Sequence, residues 1–137
     1  MAKILIAEDE PLISCFLEKG LRRSGFSTLV TPDGEEAEEL SLTGEFDLLI
    51  LDMGLPRRDG FDVLKGIRAH GSRLPVLVIT ARPELRDELA YLEAGADGYM
   101  AKPFGFSDLL ARVQSCLRPD GQERRPDQSP ATARERE

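Results

Sequence analysis

The chain has 137 residues, 41% of them hydrophobic, and a formal net charge of −7. That is enough for one domain with a sizeable core, and the acidic balance argues against nucleic-acid binding through a basic face. No apolar run approaches a membrane span, and the N-terminus MAKILIAEDE carries acids where a signal peptide stays apolar, so the expectation is a cytoplasmic protein without a membrane segment.

In chain order, KILIAE (3–8) reads as a short strand. EPLISCFLEKGLRRSG (10–25) follows with Ile13, Phe16, Leu17 and Leu21 at helical spacing, closed by Gly25. FSTLV (26–30) is the second strand. DGEEAEELSL (33–42) is a helix whose first turns carry acids, where the helix dipole favours them. FDLLILD (46–52) is a nearly all-apolar third strand, and DGFDVLKGIRAH (59–70) a helix that Asp59 caps and His70 ends, exposed and facing the dipole. LPVLVITA (74–81) is the fourth strand. RPELRDELAYLEAG (82–95) predicts one continuous fourth helix, with Pro83 in its first turn and Gly95 at its C-terminal cap. DGYMAKP (97–103) is the fifth strand, and FSDLLARVQSCL (106–117) the fifth helix, with Ser107 as its N-cap. Cys15 and Cys116 fit no metal spacing and are expected as reduced core cysteines on apolar helix faces.

Five β–α repeats with central strands apolar on both faces predict an α/β fold: a doubly wound, five-stranded parallel sheet with helices on each side. Right-handed crossovers leave the flavodoxin-like (βα)5 order, 2-1-3-4-5, as the usual solution. The folded domain is expected over 1–118. Residues 119–137 lack apolar periodicity and read as a disordered tail or linker stub.

In such a sheet, ligands bind beyond the carboxyl ends of the strands. Those tips carry Glu8 and Asp9, then Asp52, then Thr80 and Ala81, then Lys102 and Pro103. Crowded carboxylates repel one another, and a divalent cation relieves this. Mg2+ fits best: Asp9 and Asp52 bind directly, Glu8 acts through water, and the Met53 carbonyl is the backbone ligand; calcium prefers more protein oxygens. A metal site alone needs neither lysine nor threonine, but a site that also holds a phosphoryl group does. Asp52 is then the nucleophile, Lys102 clamps one phosphoryl oxygen, and the Thr80 hydroxyl with the Ala81 amide takes another. Pro103 fixes the turn that aims Lys102, in a cis or trans state the sequence does not decide. Taken singly, Glu8-Asp9 could merely cap a helix, Thr80 could be an ordinary strand residue and Lys102 plain surface; the functional reading rests on their falling together on successive tips.

These residues meet a known family. "ILIAEDEP" (4–11), "DLLILDMGLPRRDGFDVL" (47–64), "PVLVITA" (75–81) and "AGADGYMAKPF" (94–104) resemble the receiver domain of two-component response regulators, across essentially the whole folded part. The resemblance implies Asp52 as phosphoacceptor, Glu8 and Asp9 as the acidic pair, Thr80 as switch hydroxyl and Tyr99 as switch aromatic. It implies a sensor histidine kinase or phosphotransfer protein as phosphodonor, self-catalysed transfer and autodephosphorylation, and output through the face of the fourth helix, fifth strand and fifth helix. A phosphorylation-dependent homodimer is also among its expectations, with Asp97 and Arg112 on the dimer face; Gly98 departs from the acid often found there. Gly54 and Arg82 occupy the positions that tune phosphoryl lifetime. Other readings are the receiver part of a larger DNA-binding transcription factor, a nucleotide- or flavin-binding module, which the acids of AEDEP disfavour, and a degenerate receiver acting only by contact.

Overall fold

The computed structural model describes residues 2–117; the expected domain end at 118 and the tail 119–137 lie outside the described residues. The elements are β1 (Lys3–Ala7), α1 (Pro11–Arg23), β2 (Ser27–Thr31), α2 (Gly34–Ser41), β3 (Leu48–Asp52), α3 (Gly60–Ala69), β4 (Val76–Thr80), a 3-10 turn (Pro83–Leu85), α4 (Glu88–Glu93), β5 (Gly98–Ala101) and α5 (Phe106–Leu117). All strand pairs are parallel and the order is β2-β1-β3-β4-β5, as the sequence predicts.

Alternation along the strands divides the core in two. Leu5, Ala7, Leu49, Leu51, Val76 and Val78 point to one face, which α2, α3 and α4 cover through Ala37, Val63, Leu64, Ile67 and Tyr91. Ile4, Ile6, Leu48, Ile50, Leu77 and Ile79 point to the other, covered by α1 and α5 through Leu17, Leu21, Leu109 and Val113. Each fully buried Leu or Ile contributes roughly 1.5–3 kcal/mol. An exposed pair such as Lys3–Glu45 contributes roughly 0–1 kcal/mol, so burial rather than surface charge holds the sheet.

Two glycines bring helices close to the chain leaving β3. A Cβ on Gly34, at the start of α2, would stand 1.8 Å from the Arg58 carbonyl oxygen, and the Gly34 amide donates to the Pro56 carbonyl at 3.1 Å. A Cβ on Gly60, at the start of α3, would stand 2.5 Å from the Asp52 carbonyl oxygen. Only glycine allows both approaches. Asp59 caps α3 as expected, accepting from the Phe61 amide at 2.7 Å.

Three expectations are corrected. The fourth helix is not continuous over 82–95. After the 3-10 turn the backbone at Arg86 is extended, and Asp87 caps a short α4 by accepting from the Ala90 amide at 3.0 Å. An aspartate gains more from capping than from a helix interior, and the Arg86 guanidinium beside the break packs over the Phe61 ring, 3.8 Å from its centroid. Leu85, Leu89 and Leu92 consequently stay exposed, and only Tyr91 of α4 is buried. Cys15 is exposed, because at about 100° per residue it lies far round the helix from the buried Leu17. Cys116 does join the α1/α5 side of the core, and burial pushes its thiol up to about 12, which keeps it protonated. Ser107 lies inside the first turn of α5 rather than capping it, since the helix starts at Phe106 and the Leu109 amide already bonds to the Gly105 carbonyl.

Core and α4 therefore respond differently to truncation. Ile50→Ala is expected to cost about 2–5 kcal/mol in urea unfolding. Leu89→Ala, on the undocked side of α4, stays within about 0.5 kcal/mol.

Candidate functional site

Parallel pairing places four strand ends at one edge. Ala7 stands opposite Leu51, Asp52 opposite Ile79, and Thr80 opposite Ala101. The chain continues the ladder for one residue at two tips: the Glu8 amide donates to the Thr31 carbonyl at 3.0 Å, and the Lys102 amide to the Thr80 carbonyl at 2.8 Å. Asp9, Asp52, Thr80 and Lys102 thus line one pocket, with Glu8 buried beside them, the five spread over 95 residues of sequence. The Lys102 Nζ lies 3.1 Å from Glu8 Oε1, 3.3 Å from Asp52 Oδ1 and 3.8 Å from Glu10 Oε1. Carboxylate oxygens of Glu8, Asp9 and Asp52 all lie within 4.8 Å of one another.

The group is short of positive charge. Three carboxylates and one ammonium sum to −2, and Glu8 and Asp52 are buried while Asp9 is exposed. Burial first, then the nearby Asp52 charge, hold the Glu8 carboxyl above the usual range, although the Glu10 amide and Lys102 oppose this. Burial likewise raises Asp52 and Asp9 adds to it, against the pull of Lys102 and the Gly54 amide. Burial works against the charged form of Lys102, yet its pairing with the Glu8 and Asp52 carboxylates outweighs this and holds the ammonium above its ordinary value. Glu8 Oε1 is the one buried side-chain oxygen among the described residues without a hydrogen bond. Lys102 is near it in charge but does not satisfy it by alignment. An orphaned buried carboxylate oxygen beside two further carboxylates fits a hard divalent cation.

The other expected residues also line the pocket. Thr80 is buried, and its hydroxyl accepts from the Arg82 amide at 3.0 Å. Ala81, Met53 and Gly54 line the pocket beside Asp52. The Met53 carbonyl accepts from the Gly60 amide at 3.2 Å, which leaves its second lone pair. The loop carrying Met53 is fastened to α2 at two points: Arg57 pairs with Asp33 at 2.5 Å, and Arg58 pairs with Glu38. Arg57 has a φ of 68°, a left-handed conformation that the Asp33 pair and the Gly34–Pro56 bond over-determine. The Lys102-Pro103 bond is cis. Arg82 is paired with Glu84 at 2.7 Å.

Tyr99 lies at the edge of the α2/α3/α4 side of the core, stacked on Tyr91, and its carbonyl accepts from Arg112. Asp97 pairs with Arg68 at 3.0 Å and accepts from the Val76 amide at 2.9 Å, so Asp97 and Arg112 both bond within the chain. His70 ends α3, exposed, with Nδ1 against the Gly66 carbonyl at 2.9 Å. The sequence reading did not single out Tyr91 or Arg86, which also line the pocket. No motif marks them; the signal was Tyr91 as the one bulky aromatic in the broken fourth helix.

A doubly wound parallel sheet with three acids on the tips of β1 and β3, a threonine on that of β4 and a lysine on that of β5 defines the receiver class, and the comparisons agree. The model of the response regulator receiver domain matches residues 4–114, and the chain belongs to this family. Response regulator protein PmrA of Pseudomonas aeruginosa is 46% identical over 116 residues, which cover 85% of this chain and 52% of PmrA. Transcriptional regulatory protein CusR of Escherichia coli K12 is 40% identical over 116 residues, 85% of this chain and 51% of CusR. The chain thus spans about half the length of the curated relatives it matches. Among solved structures, a Francisella response regulator receiver domain superposes with a TM-score of 0.81 at 31% identity, covering 85% of this chain and 97% of that one. The receiver domain of a Pseudomonas aeruginosa sensor histidine kinase, solved with a magnesium ion in its active-site cleft, gives 0.76 at 31% identity over 85% and 97% of the two chains. Among the described residues no helix is long and apolar enough to cross a membrane.

The electrostatics predict a stability gain on removing one acid. A carboxyl whose folded value is raised binds more protons folded than unfolded, so metal-free stability falls as pH rises from the ordinary carboxylate range through the folded value. Asp52→Asn should raise the metal-free Tm at pH 7 by several degrees, a gain on the order of 1 kcal/mol, and reduce that pH slope. An unchanged or lower Tm in calorimetry contradicts the charge imbalance.

Proposed function

We propose that this chain is the phosphoacceptor receiver of a two-component system, accepting a phosphoryl group on Asp52. The observation that carries the reading is the Asp52 carboxylate, buried against the Lys102 ammonium at 3.3 Å with two more acids beside it. An Asp52 carboxylate oxygen attacks the phosphorus of a phosphohistidine on a sensor histidine kinase or phosphotransfer protein. The P–N bond breaks and the imidazole leaves with the electron pair. Glu8 through water, with Asp9, Asp52 and the Met53 carbonyl, would hold Mg2+, which supplies charge neutralisation for the phosphoryl oxygens when bound. Lys102 pairs with one phosphoryl oxygen, and the Thr80 hydroxyl with the Ala81 amide donates to another. Water later attacks the same phosphorus, the bond to the Asp52 oxygen breaks, and the carboxylate is restored. The chain is its own substrate in both steps, so it is a signalling protein rather than a turnover enzyme.

The phosphoryl adds local charge that biases a two-state element. Thr80 and Tyr99 are the switch residues, and the face of α4, β5 and α5 meets the output protein or domain, or a second copy of the chain. The reading includes a cytoplasmic setting, no membrane contact and no direct nucleic-acid binding by this chain, in keeping with its net charge of −7. A second reading has a specific observation behind it. PmrA and CusR are about twice the matched length, and CusR is a transcriptional regulatory protein, which favours a receiver working within a larger DNA-binding regulator.

Incubation with acetyl phosphate and Mg2+, followed by intact-mass measurement, tests the chemistry. One phosphoryl is expected, none on Asp52→Asn, and little when EDTA removes the metal. Lys102→Ala should slow labelling by roughly 10–1000-fold, the range for removing one charge-stabilising donor. Labelling that persists in Asp52→Asn would sink the assignment.

A further inference from the structure

The chain contains two tyrosines and no tryptophan, and the fold stacks the two together. Their ring centroids are 5.4 Å apart with planes inclined by 26°. Tyr91, on α4, is 1% exposed and lines the pocket of Asp52, Thr80 and Lys102. It also meets the Phe61 ring edge-on at 6.0 Å. Tyr99, on β5, is half-buried and borders the surface groove formed with Met100, Phe104 and Arg112.

Sheet register places these residues on one side. Tyr99 stands opposite Val78, and Val78 belongs to the core face that Tyr91 covers. Thr80 is two residues beyond Val78, so its side chain leaves the strand on that same face. Tyr91 therefore adjoins both the pocket that holds Thr80 and the ring of Tyr99. A shift of Tyr99 toward the pocket cannot occur unless Tyr91 moves with it or out of its way, because close-packed rings do not interpenetrate.

We propose that Tyr91 is a positioning residue that carries the phosphorylation state of the pocket to Tyr99, through the stacked ring pair, and so to the α4–β5–α5 surface. The inference rests on the proposed phosphoacceptor function and adds a physical connection to it. Phe61 holds Tyr91 from the α3 side, and its ring is covered in turn by the Arg86 guanidinium, so Tyr91 is confined to a slot between α3 and β5. A confined ring transmits displacement to the ring stacked on it.

The test uses 3-fluorotyrosine incorporated into the full chain, which gives two fluorine resonances that Tyr91→Phe assigns. Acetyl phosphate and Mg2+ are added while intact mass records the phosphoryl. Tyr99 should shift on phosphorylation in the starting protein and in Tyr91→Phe, which keeps the stacked ring. In Tyr91→Leu the phosphoryl should still be taken up, while the Tyr99 shift falls to less than half. A Tyr99 response in Tyr91→Leu equal to that of the starting protein overturns the proposal, leaving Tyr91 as core alone. Tyr99→Leu supplies a second arm at a less buried position: Tyr91 should still respond to phosphorylation there, and a silent Tyr91 overturns the proposal. A chain that takes up no phosphoryl overturns the phosphoacceptor function, and this inference with it, on the mass reading rather than on the fluorine spectrum.

Discussion

The structure turns on an unequal charge group at one edge of a parallel sheet: Glu8, Asp9 and Asp52 against Lys102. Two of the acids are buried, where an unbalanced charge is expensive. The burial raises Glu8 and Asp52, while the same carboxylates keep Lys102 charged despite its own burial. An excess of two negative charges, with one Glu8 oxygen lacking a hydrogen bond, fits a site that a divalent cation would neutralise.

The rest of the fold serves to hold that imbalance in place. The two hydrophobic layers fix β1, β3, β4 and β5 in register, and register alone brings the four tips together. The loop after Asp52 is then tied down by elements remote in sequence. Gly34 and Gly60 let α2 and α3 approach its backbone, and Asp33 and Glu38 hold Arg57 and Arg58. These surface pairs are individually weak. Together with the Gly34–Pro56 hydrogen bond they hold Arg57 in a conformation few side chains adopt, which sets the path of the loop carrying Met53 and Gly54.

On the opposite side of the pocket the chain is much less tied. The 3-10 turn and short α4 bury one large side chain, Tyr91, and expose three leucines. Regions with few buried apolar contacts open at low free energy, which suits the switching role proposed for this segment. The aromatic layer of Phe61, Tyr91 and Tyr99 is what joins this loosely held segment to the rigid strands.

The sequence by itself determined the strand and helix order, the parallel sheet and the five tip residues, because a buried strand needs an unbroken apolar run and the polar residue ending each run is conspicuous. KILIAE, FDLLILD and LPVLVITA each stop on or beside a site residue. It did not determine how the fourth helix breaks, since Asp87 also falls within the helical pattern of 82–95, and the extended backbone at Arg86 that precedes the cap is seen only in the fold. Nor did it separate Cys15 from Cys116, because a helix with apolar residues around much of its circumference does not reveal which side meets a sheet. The engagement of Asp97 by Arg68, the distances at Lys102 and the stacking of Tyr91 on Tyr99 were decided by tertiary structure alone. Each joins residues on different elements, and such contacts exist only once the sheet has set their separation.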